Sequence, residues 1–487
     1  MVVLPRVYEV LPAIRFLCSS AKAPRMPPVS FVPETYKGIG YDEAVNIRKK
    51  NISNCFPLLY KNPIMITQGH MQWVWDDKGK RYLDMFGGIV TISVGHCHQV
   101  VTEAAVRQLN KLWHVTNIYL HPTLHEYAKK LTDHLPEDLK VCYFCNSGSE
   151  ANDLACVLAR LSTGAFEILS LRNSYHGDSP YVVGLCGIGT WKHCYPSGFG
   201  IHHVMNPDPY RGLWGGSDCR DSPVQTDRKC SCGVGCCQAC DKYIEQLEEV
   251  LDSSVPKKIA GFFAESIQGV GGTVQFPRNY LKRAMEIIHK RGGLFIADEV
   301  QTGFGRTGKF WGFLGHGIIP DIVTIAKGVG NGYPLAAVIT RKEIADHLNK
   351  ALTFNTFGGN PVACAVGSAV LDVIDEEKLM ENSHHVGTHL LHSLSKLRRK
   401  YEIVGDVRGK GLMIGVEMVS DKESKKPLQK PAMDAILEDA KDMGLLVGRG
   451  GKYGNVFRIK PPMCITRADA DFCVSVLENA ICNYINK

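Results

Sequence analysis

No uninterrupted apolar stretch in this 487-residue chain reaches the roughly 18 residues that a membrane-spanning helix needs, so a soluble protein with no membrane partner is expected. Long blocks of lysine and arginine are missing too, and the formal charge is only +7, so nucleic acid is not an expected partner. No internal repeat is found, which excludes a solenoid or a propeller. Acidic residues are scarce at the start: residues 1–33 carry Arg6, Arg15, Lys22 and Arg25 against Glu9 alone. This apolar, arginine-containing segment breaks into small residues and prolines. It fits a mitochondrial transit peptide better than a secretory signal, because arginines interrupt the apolar run. Residues 1–35 are therefore read as a leader, and a location in the mitochondrial matrix is expected.

Apolar residues and glycine are plentiful. At 45% hydrophobic the chain can bury a large core in more than one domain, and its 48 glycines suit tight turns and close backbone approaches to a ligand. Its 18 cysteines do not make a secreted disulfide scaffold in a chain this long and apolar. Most stand singly in apolar runs, as Cys142, Cys156 and Cys364 do, where a thiol packs as a small hydrophobe. Others gather between Cys219 and Cys240, in a stretch at 215–241 that is rich in Cys, Ser, Asp and Gly and reads as an inserted loop. Cys230, Cys232, Cys236, Cys237 and Cys240 offer enough thiolates for a tetrahedral zinc. The paired Cys-x2-Cys spacing that makes such a reading strong is missing, so a redox-sensitive surface loop without metal is expected.

From about residue 130 to 340, helical patterns alternate with short apolar runs, the pattern of an α/β fold. The runs at 259–264, 294–297 and 322–326 read as buried strands whose carboxyl ends deliver Glu265, Asp298 with Glu299, and Lys327. Open sheets bind ligands at those ends, so the three point to one shared crevice. Before this block, residues 71–84 read as a hairpin with its turn at 77–79. After it, 363–375 and 382–400 have helical patterning, and 410–418 and 456–460 look like strands of a smaller α+β unit.

Residues 146–152, Asn-Ser-Gly-Ser-Glu-Ala-Asn, lie between a strand-like run at 141–145 and a helical one at 150–160. Ser147, Gly148 and Ser149 would place free amides and hydroxyls at a helix N-terminus, where an anion is favoured. A simple serine cap is the plainer alternative. Tyr175-His-Gly177 could stack an aromatic on a flat ring, with Gly177 letting the backbone approach, or could mark only a packed turn. A carboxylate such as Asp298 at the end of a buried strand needs a cationic or hydrogen-bonding partner. A protonated pyridine nitrogen would serve, and so would a buried arginine. Lys327, closing an apolar strand, would be partly desolvated, which lowers its pKa and frees an amine for imine formation. Most lysines, by contrast, are solvated surface charges.

Six motifs occur together and in order: NSGSEAN, YHG, ESIQG, ADEVQTGFGRTG, IAKGVGNGYPLAA and NTFGGNP. Their order and spacing resemble the class III aminotransferases, fold-type-I pyridoxal-phosphate enzymes related to ornithine and 4-aminobutyrate aminotransferases. The resemblance runs from about Tyr36 to the end. It implies a large cofactor-binding domain at 96–357, with a mostly parallel central sheet, and a smaller α+β domain built from 36–95 and 358–487. It implies pyridoxal phosphate as cofactor, with Lys327 as the Schiff-base lysine and proton shuttle. Asp298 matches the pyridine-nitrogen partner, and Gln301 the residue near the ring's phenolic oxygen. Gly148 and Ser149 match phosphate binders and Tyr175 the stacking aromatic, while Ser147, His176 and Val300 fall among the cofactor's neighbours. Glu265 matches a glutamate of the substrate pocket, and Arg458 the arginine for the substrate carboxylate. Thr356 matches a threonine that reaches the phosphate of a neighbouring subunit, which implies a homodimer or homotetramer.

Within the class, the insertion and the segments at 404–415 and 444–450 resemble the mitochondrial alanine–glyoxylate branch. That resemblance implies ping-pong transfer from alanine to glyoxylate, giving pyruvate and glycine, with β-aminoisobutyrate and methylated arginines as further donors. The alternatives are an omega-amino-acid:pyruvate aminotransferase and an amino-phosphate lyase. Ser266 departs from the class, which commonly has proline there; a small backbone change is expected.

Overall fold

Period-two alternation at 66–84 produces antiparallel strands β1 (Ile66–His70), β2 (Trp73–Asp76) and β3 (Arg81–Asp84). The β2–β3 turn falls where expected, and Asp76 Oδ1 closes it by accepting the amides of Lys78 and Lys80 at 3.0 and 2.8 Å. The structure, a computed structural model, describes residues 24–486 except 56, 137, 193–197, 231, 233–236 and 351. It therefore begins inside the stretch read as a leader. Arg81 Nη2 donates to the Pro27 carbonyl at 2.6 Å, Phe31 stacks on His70 at 4.5 Å, and the Glu34 amide donates to Gln68 Oε1 at 2.9 Å. Residues 24–35 thus lie against the body of the protein, which corrects their reading as detached leader. The remainder of the leader, 1–23, lies outside the described residues.

The middle of the chain supplies β4 (Val141–Cys145), β5 (Ile168–Leu171), β6 (Ile201–Val204), β7 (Gly261–Glu265), β8 (Leu294–Asp298), β9 (Ile322–Ile325) and β10 (Ala336–Thr340). They form one sheet in the order β4-β10-β9-β8-β7-β5-β6, parallel except that β10 runs against both β4 and β9. The inner strands β7 to β10 are mostly apolar because helices cover both faces, whereas the edge strand β6 is Ile-His-His-Val and only partly buried. Successive side chains point to opposite sides. Phe263, Ile296 and Val338 meet Ala151, Ala155 and Ala159 of the helix Gly148–Thr163. Phe262, Phe295 and Ile339 face a larger core shared with the helices Gln238–Ser253, Tyr280–Lys290 and Pro361–Glu376. The fold is α/β with a mostly parallel central sheet, as expected.

The C-terminal part adds β11 (Val404–Lys410), β12 (Met413–Met418), β13 (Leu445–Leu446), β14 (Gly448–Gly450) and β15 (Val456–Ile459). Antiparallel pairing gives the order β11-β12-β15-β14, while β13 joins β3 in parallel. The reading of 410–418 as one strand is corrected. The chain turns at Gly411 and Leu412, because the Leu412 amide leaves the ladder and donates to the Arg306 carbonyl at 3.0 Å.

The described residues of the insertion before Gln238 form no helix or strand, and from Gln238 it is already part of the next helix. It is docked on β11 through Asp406, which is fully buried. Arg220 grips that carboxylate with two bonds of 2.8 and 3.1 Å, and Arg408 and Arg398 approach at 3.2 and 3.4 Å. Burial pushes the Asp406 pKa up, but Arg220, then Arg408 and Arg398, outweigh it and hold the value below that of an ordinary aspartate. A depressed carboxyl pKa stabilises the fold above the unfolded value of about 4, and that stability is lost as pH falls through the folded value. Asp406→Ala leaves the buried Arg220 guanidinium without its counter-charge, while Arg408 keeps Glu417 and Arg398 keeps Asp227. The expected loss in unfolding free energy is about 3–5 kcal/mol, read from the denaturant midpoint. A loss below about 1 kcal/mol would show that the cluster contributes little.

Candidate active site

Because β4, β7, β8 and β9 run in one direction, their carboxyl ends open on one edge of the sheet. Glu265 and Asp298 are direct register partners there, and Lys327 follows two residues after β9. The shared crevice expected from the strand ends is thus present. Gly148, Ser149, Tyr175, His176, Glu265, Asp298, Val300, Gln301 and Lys327 line one cavity, together with Asn152 and Gly177. Lys327 has φ +54°, left-handed for a residue with a side chain, a conformation that costs on the order of 1–3 kcal/mol.

Asp298 is held without any arginine among the described residues, which removes the salt-bridge alternative. Its Oδ2 accepts from His176 Nδ1 at 2.8 Å and Asn152 Nδ2 at 3.0 Å, and its Oδ1 accepts the Val300 amide at 3.1 Å. Asn152 was not singled out from the sequence for a role of its own. It sits one helical turn after Gly148, on the same helix face, and that spacing was the available signal.

Burial pushes the Lys327 ammonium below the ordinary lysine pKa; Asp298 and Glu265 oppose this, while Arg458 adds to it. Two further buried cations stand close by. Arg458 Nη2 donates to Gln301 Oε1 at 3.3 Å, and Lys460 Nζ donates to the same oxygen at 3.0 Å. Lys460 is fully buried, and burial followed by Arg458 drives its pKa well below the lysine value. Sequence reasoning missed it, although it lies two residues after Arg458 and so on the same side of an extended chain.

The remaining expected residues divide. Gly148 and Ser149 begin the helix Gly148–Thr163, whose first amides have no intrahelical acceptor. Ser147 is a cap instead, accepting the Glu150 amide at 3.2 Å and donating to Glu150 Oε2 at 3.0 Å. Tyr175 lies against Trp191 with ring centroids 4.9 Å apart, and its amide donates to Glu265 Oε1 at 3.2 Å. Burial raises the Glu265 pKa, although His176 and hydrogen bonds from the Gly269 and Tyr175 amides work against the rise. Thr356 is not brought into this cavity; it is exposed on the loop before the helix Pro361–Glu376. Ser266, the departure from the class, donates its hydroxyl to Glu299, a contact that proline could not make.

This donor set fits pyridoxal phosphate. A flat ring has Tyr175 and Val300 beside it, a phosphate has the helix amides, a ring nitrogen has Asp298, and a carbonyl carbon has the amine of Lys327. A Cβ at Gly148 would lie 3.1 Å from Val300 Cγ1, and one at Gly177 would lie 2.6 Å from Ser149 Oγ. The close approach of these segments around the cavity therefore needs glycine at both positions.

Comparison with known proteins agrees. The family described as aminotransferase class III matches residues 59–481. The chain is 54% identical to human mitochondrial alanine–glyoxylate aminotransferase 2, covering 99% of this chain and 96% of the relative. It is 44% identical to the mitochondrial alanine–glyoxylate aminotransferase 2 homolog 2 of Arabidopsis thaliana, covering 93% and 90%. Among solved structures, an omega-transaminase from Thermomicrobium roseum superposes with a TM-score of 0.82 at 31% identity, covering 92% of this chain and 100% of that one. A phospholyase from Arthrobacter, in complex with phosphoethanolamine, has a TM-score of 0.80 at 30% identity, covering 90% and 99%. The cavity at the strand ends thus sits in the fold of enzymes that rework amino groups, and the chain belongs to the class III aminotransferases, which depend on pyridoxal phosphate.

Proposed function

We propose that this chain transfers the amino group of alanine to glyoxylate, giving pyruvate and glycine, and that it works in the mitochondrial matrix. The human and Arabidopsis relatives carry both the reaction and the organelle in their names. β-Aminoisobutyrate and methylated arginines are proposed as further donors.

Arg458 carries the reading of the substrate. It is 4% exposed, and its Nε has no partner among the described residues. Burial lowers its pKa to about 10, offset in part by Glu265. A buried guanidinium with unused donors is built for a bidentate carboxylate. An amino acid and a 2-oxo acid each bring one. Phosphoethanolamine, the ligand of the phospholyase neighbour, does not, and this favours transamination over the lyase alternative.

When bound, pyridoxal phosphate supplies an electron sink for the carbon beside the amino group. Lys327 would hold the cofactor's carbonyl carbon through Nζ. With the donor in its place, the same Nζ would take the donor's Cα proton and return a proton in the second half of the exchange; its lowered pKa keeps more of it in the neutral, basic form. Asp298 would keep the ring nitrogen protonated, its carboxylate fixed by His176 and Asn152 through Oδ2 and by the Val300 amide through Oδ1. Gly148 and Ser149 bind the phosphate, and Tyr175 packs on the ring. Donor and acceptor use Arg458 in turn, so ping-pong kinetics are expected.

Thr356 is proposed to complete the site of a second copy. Its loop is pinned to the helix Gly148–Thr163 by Asn355 Nδ2, which donates to Glu150 Oε1 at 3.1 Å. Around it Ile118, Leu120, Phe354 and Phe357 are all more than 60% exposed, an apolar surface suited to self-association as a dimer or tetramer. A monomer by solution mass measurement would remove this part of the reading.

The deciding assay follows pyruvate from alanine and glyoxylate, and no pyruvate means the reaction is misassigned. In the same assay Arg458→Leu should raise the KM of both substrates by about 10- to 100-fold, the value of charge-assisted hydrogen bonds, with a smaller change in kcat.

A further inference from the structure

The insertion brings together a group of thiols that the catalytic site does not use. Cys219, Cys230 and Cys232 have sulfur atoms all within 4.8 Å of one another, and the Cys219 and Cys230 sulfurs are 3.7 Å apart. The side chain of Cys237 also interacts with that of Cys219, although it stands outside the tightest group of three. These residues come from three separate stretches of chain. Cys219 precedes the anchored Arg220, Cys230 and Cys232 are two positions apart, and Cys237 stands at the N-terminal boundary of the helix Gln238–Ser253. None of them lines the Lys327 cavity.

Their spacing and hydrogen bonds suit metal better than a disulfide. A disulfide needs sulfurs about 2.05 Å apart. A tetrahedron built on Zn–S bonds of about 2.3 Å has edges of about 3.8 Å, close to the 3.7 Å between Cys219 and Cys230. Backbone amides point at the sulfurs: Cys232 N donates to Cys230 Sγ and Gln238 N to Cys232 Sγ, both at 3.2 Å. Such bonds favour the thiolate over the thiol.

We propose that Cys219, Cys230, Cys232 and Cys237 form a structural zinc site that fixes the insertion to the body of the protein. Four thiols close the coordination shell and leave no open position for a substrate. Binding forms four Zn–S bonds, releases the thiol protons to solvent and involves no change of oxidation state. The site stiffens the segment that carries Arg220 to Asp406 and Ser222 to the Gly409 carbonyl. This site differs from the metal-free loop expected from the spacing, and its thiols differ from the five named there. Cys240 lies apart, with Arg283 Nη1 at 3.6 Å from its sulfur, and Cys236 lies outside the described residues. Cys219 was left out because its distance along the chain hid its place in the cluster.

The test is the zinc content of the full-length holoenzyme, purified under reducing conditions from zinc-supplied cells. About one zinc per chain is expected, released by a mercurial thiol reagent. Cys219→Ser, Cys232→Ser and Cys237→Ser should each drop to roughly a tenth of that, while Cys240→Ser keeps it. Zinc near zero in the unaltered protein overturns the proposal. So does iron in its place, a disulfide among these cysteines in a non-reducing peptide map, or equal loss in Cys240→Ser. Should the serine variants fail to fold, cobalt added to the zinc-stripped full chain decides. Strong sulfur-to-cobalt absorption supports the site, and its absence overturns it.

Discussion

Lys327→Ala should leave a folded chain that no longer transfers amino groups at a useful rate. Losing proton transfer alone costs on the order of 10²–10⁴-fold, and the covalent hold on the cofactor disappears with it. The fold should survive, because among the described residues no hydrogen bond or ion pair depends on Lys327 Nζ. Two readouts separate chemistry from damage. Borohydride should fix the cofactor to the unaltered protein at Lys327 and leave the variant unlabelled, and a small added amine should restore part of the rate. The control matters here because Lys460, a second buried lysine, stands beside the same cavity through Gln301. Labelling at Lys460, or a variant within tenfold of normal turnover, would falsify the assignment of Lys327.

Asp298→Asn is expected to lower kcat/KM by about 10²–10³-fold while the cofactor remains bound. The substitution keeps the shape and removes the charge that holds the ring nitrogen protonated. It also places an amide where His176 and Asn152 now donate to Oδ2, so both donors lose their acceptor if the new Nδ2 turns that way. His176→Phe removes one hydrogen bond from the carboxylate but leaves its charge, and should cost only about tenfold, the low end for a charge-assisted hydrogen bond. If His176→Phe proved as damaging as Asp298→Asn, charge at Asp298 would not be the controlling feature. The visible absorption of the bound cofactor, titrated against pH, gives an independent check: the ring nitrogen should lose its proton at lower pH in Asp298→Asn.

Much of this was legible in the sequence for physical reasons. Strands buried on both faces are apolar at every position, so a polar residue at the end of such a run marks the sheet edge; Glu265, Asp298 and Lys327 are three such marks. The hairpin turn was legible because Asp76 to Gly79 carries the side chain and the glycine that close it. Long-range relations were not. The reversal of β10 leaves no mark in an apolar run, since both directions bury the same residues. Lys460 closes the run at 456–460, and nothing in that run marks its contact with Gln301. The split at Gly411 depends on a carbonyl at Arg306, more than a hundred positions earlier in the chain. Cys219 joined its partners only through the path of a loop.

The pairing of the N-terminal hairpin with the far end of the chain has a consequence in time. The Lys61 amide waits for Glu438, 377 residues later, and β3 waits for β13. At synthesis rates of roughly 5–20 residues per second, the hairpin is exposed for some tens of seconds before its partner exists. Until then the edge of β3 lacks its parallel partner β13. During that interval its unpaired backbone groups are open to pairing with other chains.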